Sequence, residues 1–116
     1  MTSVVHVELT AHDPTAVVAF FGAVLGRAAE ESPFAAGYHV LATDAGDPGV
    51  AVMPRALVDQ RTIAWFDVAD VTAARAAVVA AGGSLRDEPH EIPGRGLHCY
   101  VADPEGTVIG LRQPAG

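Results

Sequence analysis

Lysine is absent from this chain, cysteine and tryptophan occur once each, and no apolar run approaches the roughly 18 residues needed to cross a bilayer. Each scarcity removes a class of explanation. A single thiol, Cys99, leaves no partner for an internal disulfide, so a reducing compartment is the natural setting. The seven basic residues are therefore all arginines, scattered rather than massed, against 14 acids, for a formal net charge of −7. A surface that tracks a phosphate backbone needs clustered Lys and Arg, so nucleic acid is a poor partner. The acidity suits a cationic ligand, and it suits solubility equally well. No basic, apolar leader opens the sequence, so a cytoplasmic protein without a membrane attachment is expected. Also missing are a Gly-x-Ser-x-Gly elbow, a phosphate-cradling glycine loop, paired metal-binding cysteines and His-Glu-x-x-His.

What is present is a globular composition, half hydrophobic and 18% charged over 116 residues, enough for one domain. Val4 to Thr10 alternates, with Val5, Val7 and Leu9 on one face and His6, Glu8 and Thr10 on the other. Asp13-Pro14 then reads as an N-cap with proline in the first turn. Val17, Phe20, Phe21 and Val24 follow at helical spacing, and Gly26 closes the helix. Extended runs are predicted at Arg27–Ser32, Gly37–Thr43 and Val50–Pro54, with a turn over 44–49.

The pattern then restarts. Thr62 to Val68 reads as a strand, Asp70 caps a helix carrying Val71, Ala74, Val78 and Ala81, and Gly82-Gly83 ends it. Further strands are predicted at Ser84–Glu88, Gly96–Ala102 and Thr107–Arg112, with a turn over 103–106. A single offset of 57 residues maps Leu9 to Phe66, Asp13 to Asp70, Gly26 to Gly83 and Gly49 to Gly106. The expected fold is α+β, a single domain of two βαβββ modules, 4–54 and 62–112, joined by a linker at 55–61. A ferredoxin-like βαββαβ fold offers only two strands between its helices, whereas three are available here. Bare sheet edges invite association, so a paired or domain-swapped homodimer is expected.

If each helix covers one face of its sheet, the other face lines a cleft. Alternation places His6, Glu8 and Thr10 of the first strand there, with Ile63, Trp65 and Asp67 of the fifth. Met53, Val108, Gly110 and Arg112 come from the last strand of each module. In Gly96–Ala102, the apolar Leu97, Cys99 and Val101 should face the core, leaving His98 and Tyr100 on the open side. An aromatic floor with a few polar groups is how small-molecule sites are built. His6 reads equally well as a ligand contact or as a satisfied polar residue. Glu8 and Asp67 either hold a ligand or pair with Arg112. Trp65 reads as binding or as packing, and His98 and Tyr100 are similarly divided. Cys99 should be an inert core thiol, and His12 and His90 solvated. His39 has no assignable face, and Gly-Arg-Gly at 94–96 reads as a flexible loop.

The segments Val-His-Val-Glu-Leu-Thr-Ala-His-Asp-Pro and Ala-Phe-Phe-Gly-Ala-Val-Leu-Gly resemble the first half-module of vicinal-oxygen-chelate (VOC) proteins, the glyoxalase, bleomycin-resistance and dioxygenase superfamily. Trp65-Phe-Asp-Val-Ala-Asp-Val, Ala81-Gly-Gly, Ile92-Pro-Gly and the closing Ala102-Asp-Pro-Glu-Gly-Thr-Val-Ile-Gly-Leu-Arg-Gln-Pro114 resemble the second. Metal-dependent members place ligands on the first strand of each module and on the last strand. Carried over, those positions are His6, Ile63 and Gly110, with Met53 opposite Gly110 in the 57-residue register. Isoleucine has no donor atom and glycine no side chain, so no metal and no cofactor are expected. The resemblance implies a metal-independent small-molecule-binding protein of the glyoxalase/bleomycin-resistance type that sequesters a ligand. Its expected contacts are His6, Glu8, Met53, Trp65, Asp67, His98, Tyr100 and Arg112. The alternative is a VOC lyase, isomerase or dioxygenase, with a displaced metal site on His6, Glu8 and His98 or metal-free acid–base chemistry by Glu8 and His6. A scaffold with a vestigial cleft is a third reading.

Overall fold

The computed structural model describes residues 3–56 and 58–116. Its class is α+β, and its residues fall into two compact units, Val5–Ile63 and Ala64–Gly116, the latter including Ser3 and Val4. The expected linker takes in residue 57, which lies outside the described residues.

In the first unit, β1 (Val4–Ala11) leads to α1 (Pro14–Leu25), followed by β2 (Ala29–Glu31), β3 (His39–Leu41) and β4 (Gly49–Pro54). The start of α1 is dictated locally. Asp13 accepts a hydrogen bond from the Ala16 amide at 3.2 Å, and Pro14 occupies a position whose amide has no helical partner. Gly26 ends it at φ 66°, in the left-handed region where a side chain would be strained. The helix packs on β3 and β4. β1 and β4 run parallel, with His6 beside Gly49 and Glu8 beside Ala51, while β3 joins β4, and β2 joins β3, antiparallel.

The second unit takes up β5 (Thr62–Asp67) from Ala64 onward, which leads to α2 (Val71–Ala80), then β6 (Ser84–Leu85), β7 (His90–Ile92), β8 (Gly96–Ala102) and β9 (Val108–Gln113). Asp70 caps α2 through the Ala73 amide at 3.1 Å, and the Gln113 side-chain oxygen accepts from the Val71 amide at 2.9 Å. Helix α2 covers a core of Val71, Cys99, Val101 and Leu111, flanked by Phe66, Val68, Leu97 and Ile109. The apolar half of β8 thus faces the helix, as its alternation predicts. Buried against this core, the Cys99 thiol has its pKa pushed up, which disfavours the reactive thiolate.

Three sequence expectations need correction. Four strands follow α2 instead of three, because the predicted run Ser84–Glu88 breaks after Leu85 and resumes as β7 on the same edge of β8. At the break, the Asp87 carboxylate accepts from the Tyr100 amide at 2.7 Å, so a side chain replaces a ladder partner, and Pro89 has no amide to continue pairing. The helix α2 closes at Ala81, one residue before the glycine pair. The 57-residue offset fails at the last strand. Trp65 pairs with Gly110 while Glu8 pairs with Ala51, so the ladder counterpart of Gly110 is Ala51, and Met53 corresponds to Arg112. The slip is two residues, and an even slip keeps every side chain on its face.

Candidate functional site

The face of the second unit away from α2 carries a polar row. Cross-strand registry sets His90 of β7 beside His98 of β8, His98 beside Arg112 of β9, and Arg112 beside Asp67 of β5. Asp67 accepts from Arg112 Nε at 2.6 Å and Nη2 at 2.8 Å, a two-pronged pair that pushes the guanidinium pKa up. The His90 and His98 rings lie 6.2 Å apart. His98 Nδ1 is 3.2 Å from the Gly96 carbonyl, which can only accept, so Nδ1 carries the proton of the neutral ring.

Next to this row lies Trp65. Its ring is 5.5 Å from His98 and 5.0 Å from Tyr100. The indole rests on Gly110: a Cβ built there would stand 1.9 Å from Trp65 Cδ2. Only glycine permits that approach. Trp65 is 5% exposed as a result. In the first unit, Met53 and Ile63 are buried as well. His6, Asp67, His98, Tyr100 and Arg112 are half-buried.

The first unit holds a hydrogen-bonded chain of three side chains. Tyr38 Oη donates to Glu8 Oε2 at 2.6 Å, and His6 Nε2 is 2.9 Å from the same hydroxyl. With the tyrosine proton committed to the carboxylate, His6 Nε2 is the donor to the hydroxyl oxygen. Glu8 is 3% exposed. The imidazole lies on Gly49, where a Cβ would meet Nδ1 at 2.5 Å. The expected pairing of Glu8 with an arginine is therefore replaced by Tyr38. Sequence reasoning missed this residue because the run predicted over Gly37–Thr43, which contains it, has no assignable face, and β3 begins only at His39. His12, expected to be free in solvent, is exposed but 3.2 Å from Arg55 Nη1. Arg55 also donates to Thr10 through its side-chain and carbonyl oxygens. His90, expected in a loop, lies on β7.

The sequence profile of the glyoxalase-like domain family matches residues 5–111. The chain belongs to that family. With it comes membership of the VOC superfamily, which the solved structures support. A glyoxalase/bleomycin resistance protein/dioxygenase superfamily member from Vibrio splendidus covers 97% of this chain at 21% identity and TM-score 0.67, with 99% of its own length matched. Methylmalonyl-CoA epimerase from Mycobacterium tuberculosis covers 97% at 16% identity and TM-score 0.71, with 88% of its length matched. At these identities the likeness concerns the fold. The CFP32 proteins of Mycobacterium bovis and Mycobacterium tuberculosis, which carry a provisional glyoxylase name, are 32% identical over 111 residues. That alignment spans 93% of this chain and 42% of the relatives' length.

The divalent ion used by metal-dependent VOC proteins does not fit the residues present. Ile63 offers no donor, and Gly110 offers none and is covered by an indole. The Nε2 atom of His6 is engaged by Tyr38. Among the described residues, no group of three or more His, Cys, Asp or Glu could hold a metal ion. No helix among them is long and apolar enough to cross a membrane.

Within this glyoxalase-like domain, the fold displaces the titration of His98. Burial lowers its pKa, the Gly96 carbonyl opposes that, and His90, Arg112 and Arg95 lower it further. The unfolded chain then binds a proton, around pH 6.5, that the folded one resists. Stability is expected to be unaffected by His98 above that pH and to fall as the pH drops through it towards the lower folded value. Thermal melts on both sides of pH 6.5, compared with His98→Gln, check this. An identical acid slope in the variant would exclude His98 as the source.

Proposed function

We propose that this domain is a metal-independent small-molecule-binding protein of the glyoxalase/bleomycin-resistance type. The carrying observation is the indole of Trp65 laid on Gly110 at the position where a metal ligand would otherwise project, with His98 and Tyr100 against it. Around the buried indole, half-buried Tyr100, His98, Asp67 and Arg112 offer apolar area together with a few directional polar groups. The first unit offers its own proposed contacts, His6, Glu8 and Met53, on β1 and β4. The chain acts as one domain of two modules, 4–54 and 62–112, in the cytoplasm.

Trp65 is the chain's one tryptophan, so its emission reports the site directly. Titration with a library of metabolites and antibiotics is expected to produce a saturable change for at least one compound. Protein purified without chelator is expected to carry no stoichiometric divalent metal. Silence across the library would overturn the binding reading, and one ion per chain would overturn metal independence.

Pairing with a second copy belongs to the same proposal. No residue of α1 is charged, yet Phe20, Val24 and Leu25 are more than half exposed, an arrangement usually associated with an interface. Light scattering that returned a monomer would exclude it.

A second reading is favoured by one observation, the His6–Tyr38–Glu8 chain. A buried carboxylate joined through a hydroxyl to an imidazole is a route for moving a proton. Epimerases among the structural neighbours, one of them in complex with methylmalonyl-CoA and NH4+, share the fold. Metal-free proton transfer on a carbonyl compound is the enzyme activity that this chain of residues supports. Solvent deuterium incorporation into a bound ligand, abolished by Glu8→Gln, would favour it over sequestration.

A further inference from the structure

The molecule is acidic overall, but the end of its β7–β8 hairpin is not. An open depression of about 510 Å3 lies there, lined by Pro93, Gly94, Arg95, Arg112, Pro114 and Ala115. Arg95 is exposed, and its guanidinium has no partner among the described residues. Arg112 spends Nε and Nη2 on Asp67, which leaves Nη1 unclaimed. His98 donates from Nδ1 to Gly96, so Nε2 is also unclaimed. Arg95 and Arg112 therefore bring guanidinium nitrogens without partners among the described residues to a hollow large enough for a ligand's head group. The one carboxylate in the row, Asp67, is already neutralised by Arg112. The positive charges of Arg112 and Arg95 both reach His98, where each lowers the imidazole pKa.

We propose that this hollow binds the oxyanion of a small ligand, a carboxylate or a phosphate, with Arg95 as its main charge partner and Arg112 Nη1 as a directional contact, while His98, beside Arg112 on the neighbouring strand, reports on the site. The inference rests on the small-molecule-binding reading and gives that ligand a negative head. Guanidinium groups suit this chemistry because their planar fork matches two oxygens of one anion. The hairpin glycines place the arginine there: Gly94 and Gly96 have φ of 77° and 99°, and a Cβ at Gly96 would stand 2.0 Å from the Gln113 carbonyl oxygen. The turn is thus fixed against β9, and Arg95 stays over the depression.

The test titrates the full chain with inorganic phosphate and, separately, with acetate, at constant ionic strength. The imidazole resonances of His98 and the emission of Trp65 are followed together. Saturable shifts at His98 are expected with at least one anion, and the stronger of the two identifies the head group. Arg95→Gln, on an exposed turn, is expected to weaken binding about tenfold or more, and Arg95→Lys to recover part of it. No saturable shift, or equal affinity in Arg95→Gln, overturns the inference. A neutral library compound that shifts Trp65 while neither anion shifts His98 also overturns it and leaves the binding reading standing. Anion binding that depends on Arg95 but never reaches Trp65 supports the inference and tells against the indole as a ligand surface.

Discussion

Gly110→Ala is expected to destabilise the protein by about 3 kcal/mol, at the upper end of what overpacking usually costs. The added Cβ would lie 1.9 Å, 2.2 Å and 2.3 Å from three indole carbons of Trp65, far inside van der Waals contact. The indole has little room to yield, being almost fully buried and flanked by His98 and Tyr100. Gly110 is not among the glycines with positive φ, so alanine suits its backbone and the cost isolates the contact. Denaturant melts of a double-mutant cycle measure it. Trp65→Ala alone should cost about 3–5 kcal/mol through the cavity it leaves. In the double variant the methyl group enters vacated space, so the loss should fall well short of the sum of the two. Strict additivity would mean that the indole does not rest on Gly110.

Tyr38→Phe is expected to cost about 2–3 kcal/mol, because it takes a charge-assisted hydrogen bond from a buried carboxylate. Tyr38 donates to Glu8 at 2.6 Å, and the lost oxygen is also the acceptor for His6 Nε2. Phenylalanine keeps the ring and its stacking on His6, where the planes are 13° apart, so the change concerns the hydroxyl alone. Denaturant melts near neutral pH read the stability. Nitrogen-detected spectra of His6 read the tautomer: protonation at Nε2 is expected in the parent chain and a mixed population in the variant. Unchanged stability and an unchanged tautomer would remove Tyr38 from the chain.

These two positions show how unevenly the site could be read from the sequence. Trp65, His98, Tyr100, Asp67 and Arg112 were assigned to one face by counting in twos, which depends only on the strand pleat. Their cross-strand registry agrees. The same rule gives Tyr38 no face, since the run expected over Gly37–Thr43 does not alternate; the strand starts only at His39, after a turn with Gly37 at φ 75°. The hollow beside Arg95 could not be anticipated either, because it depends on β7 pairing with β8 and on the chain end passing close to the hairpin. The 57-residue register located both helix caps and then misplaced Met53, because the loops before β4 and β9 differ in length.

The sequence by itself determined the class of fold, the caps at Asp13 and Asp70, the sidedness of β8 and the lack of donors at Ile63 and Gly110. All of these are local, settled by residue type and by periods of two and 3.6. Only the tertiary structure decided that an indole covers Gly110 and that Glu8 is held by Tyr38 and not by an arginine. Those outcomes turn on which strands become neighbours and how closely their backbones approach. Side-chain alternation does not encode that distance, and here glycines at 49, 96 and 110 set it.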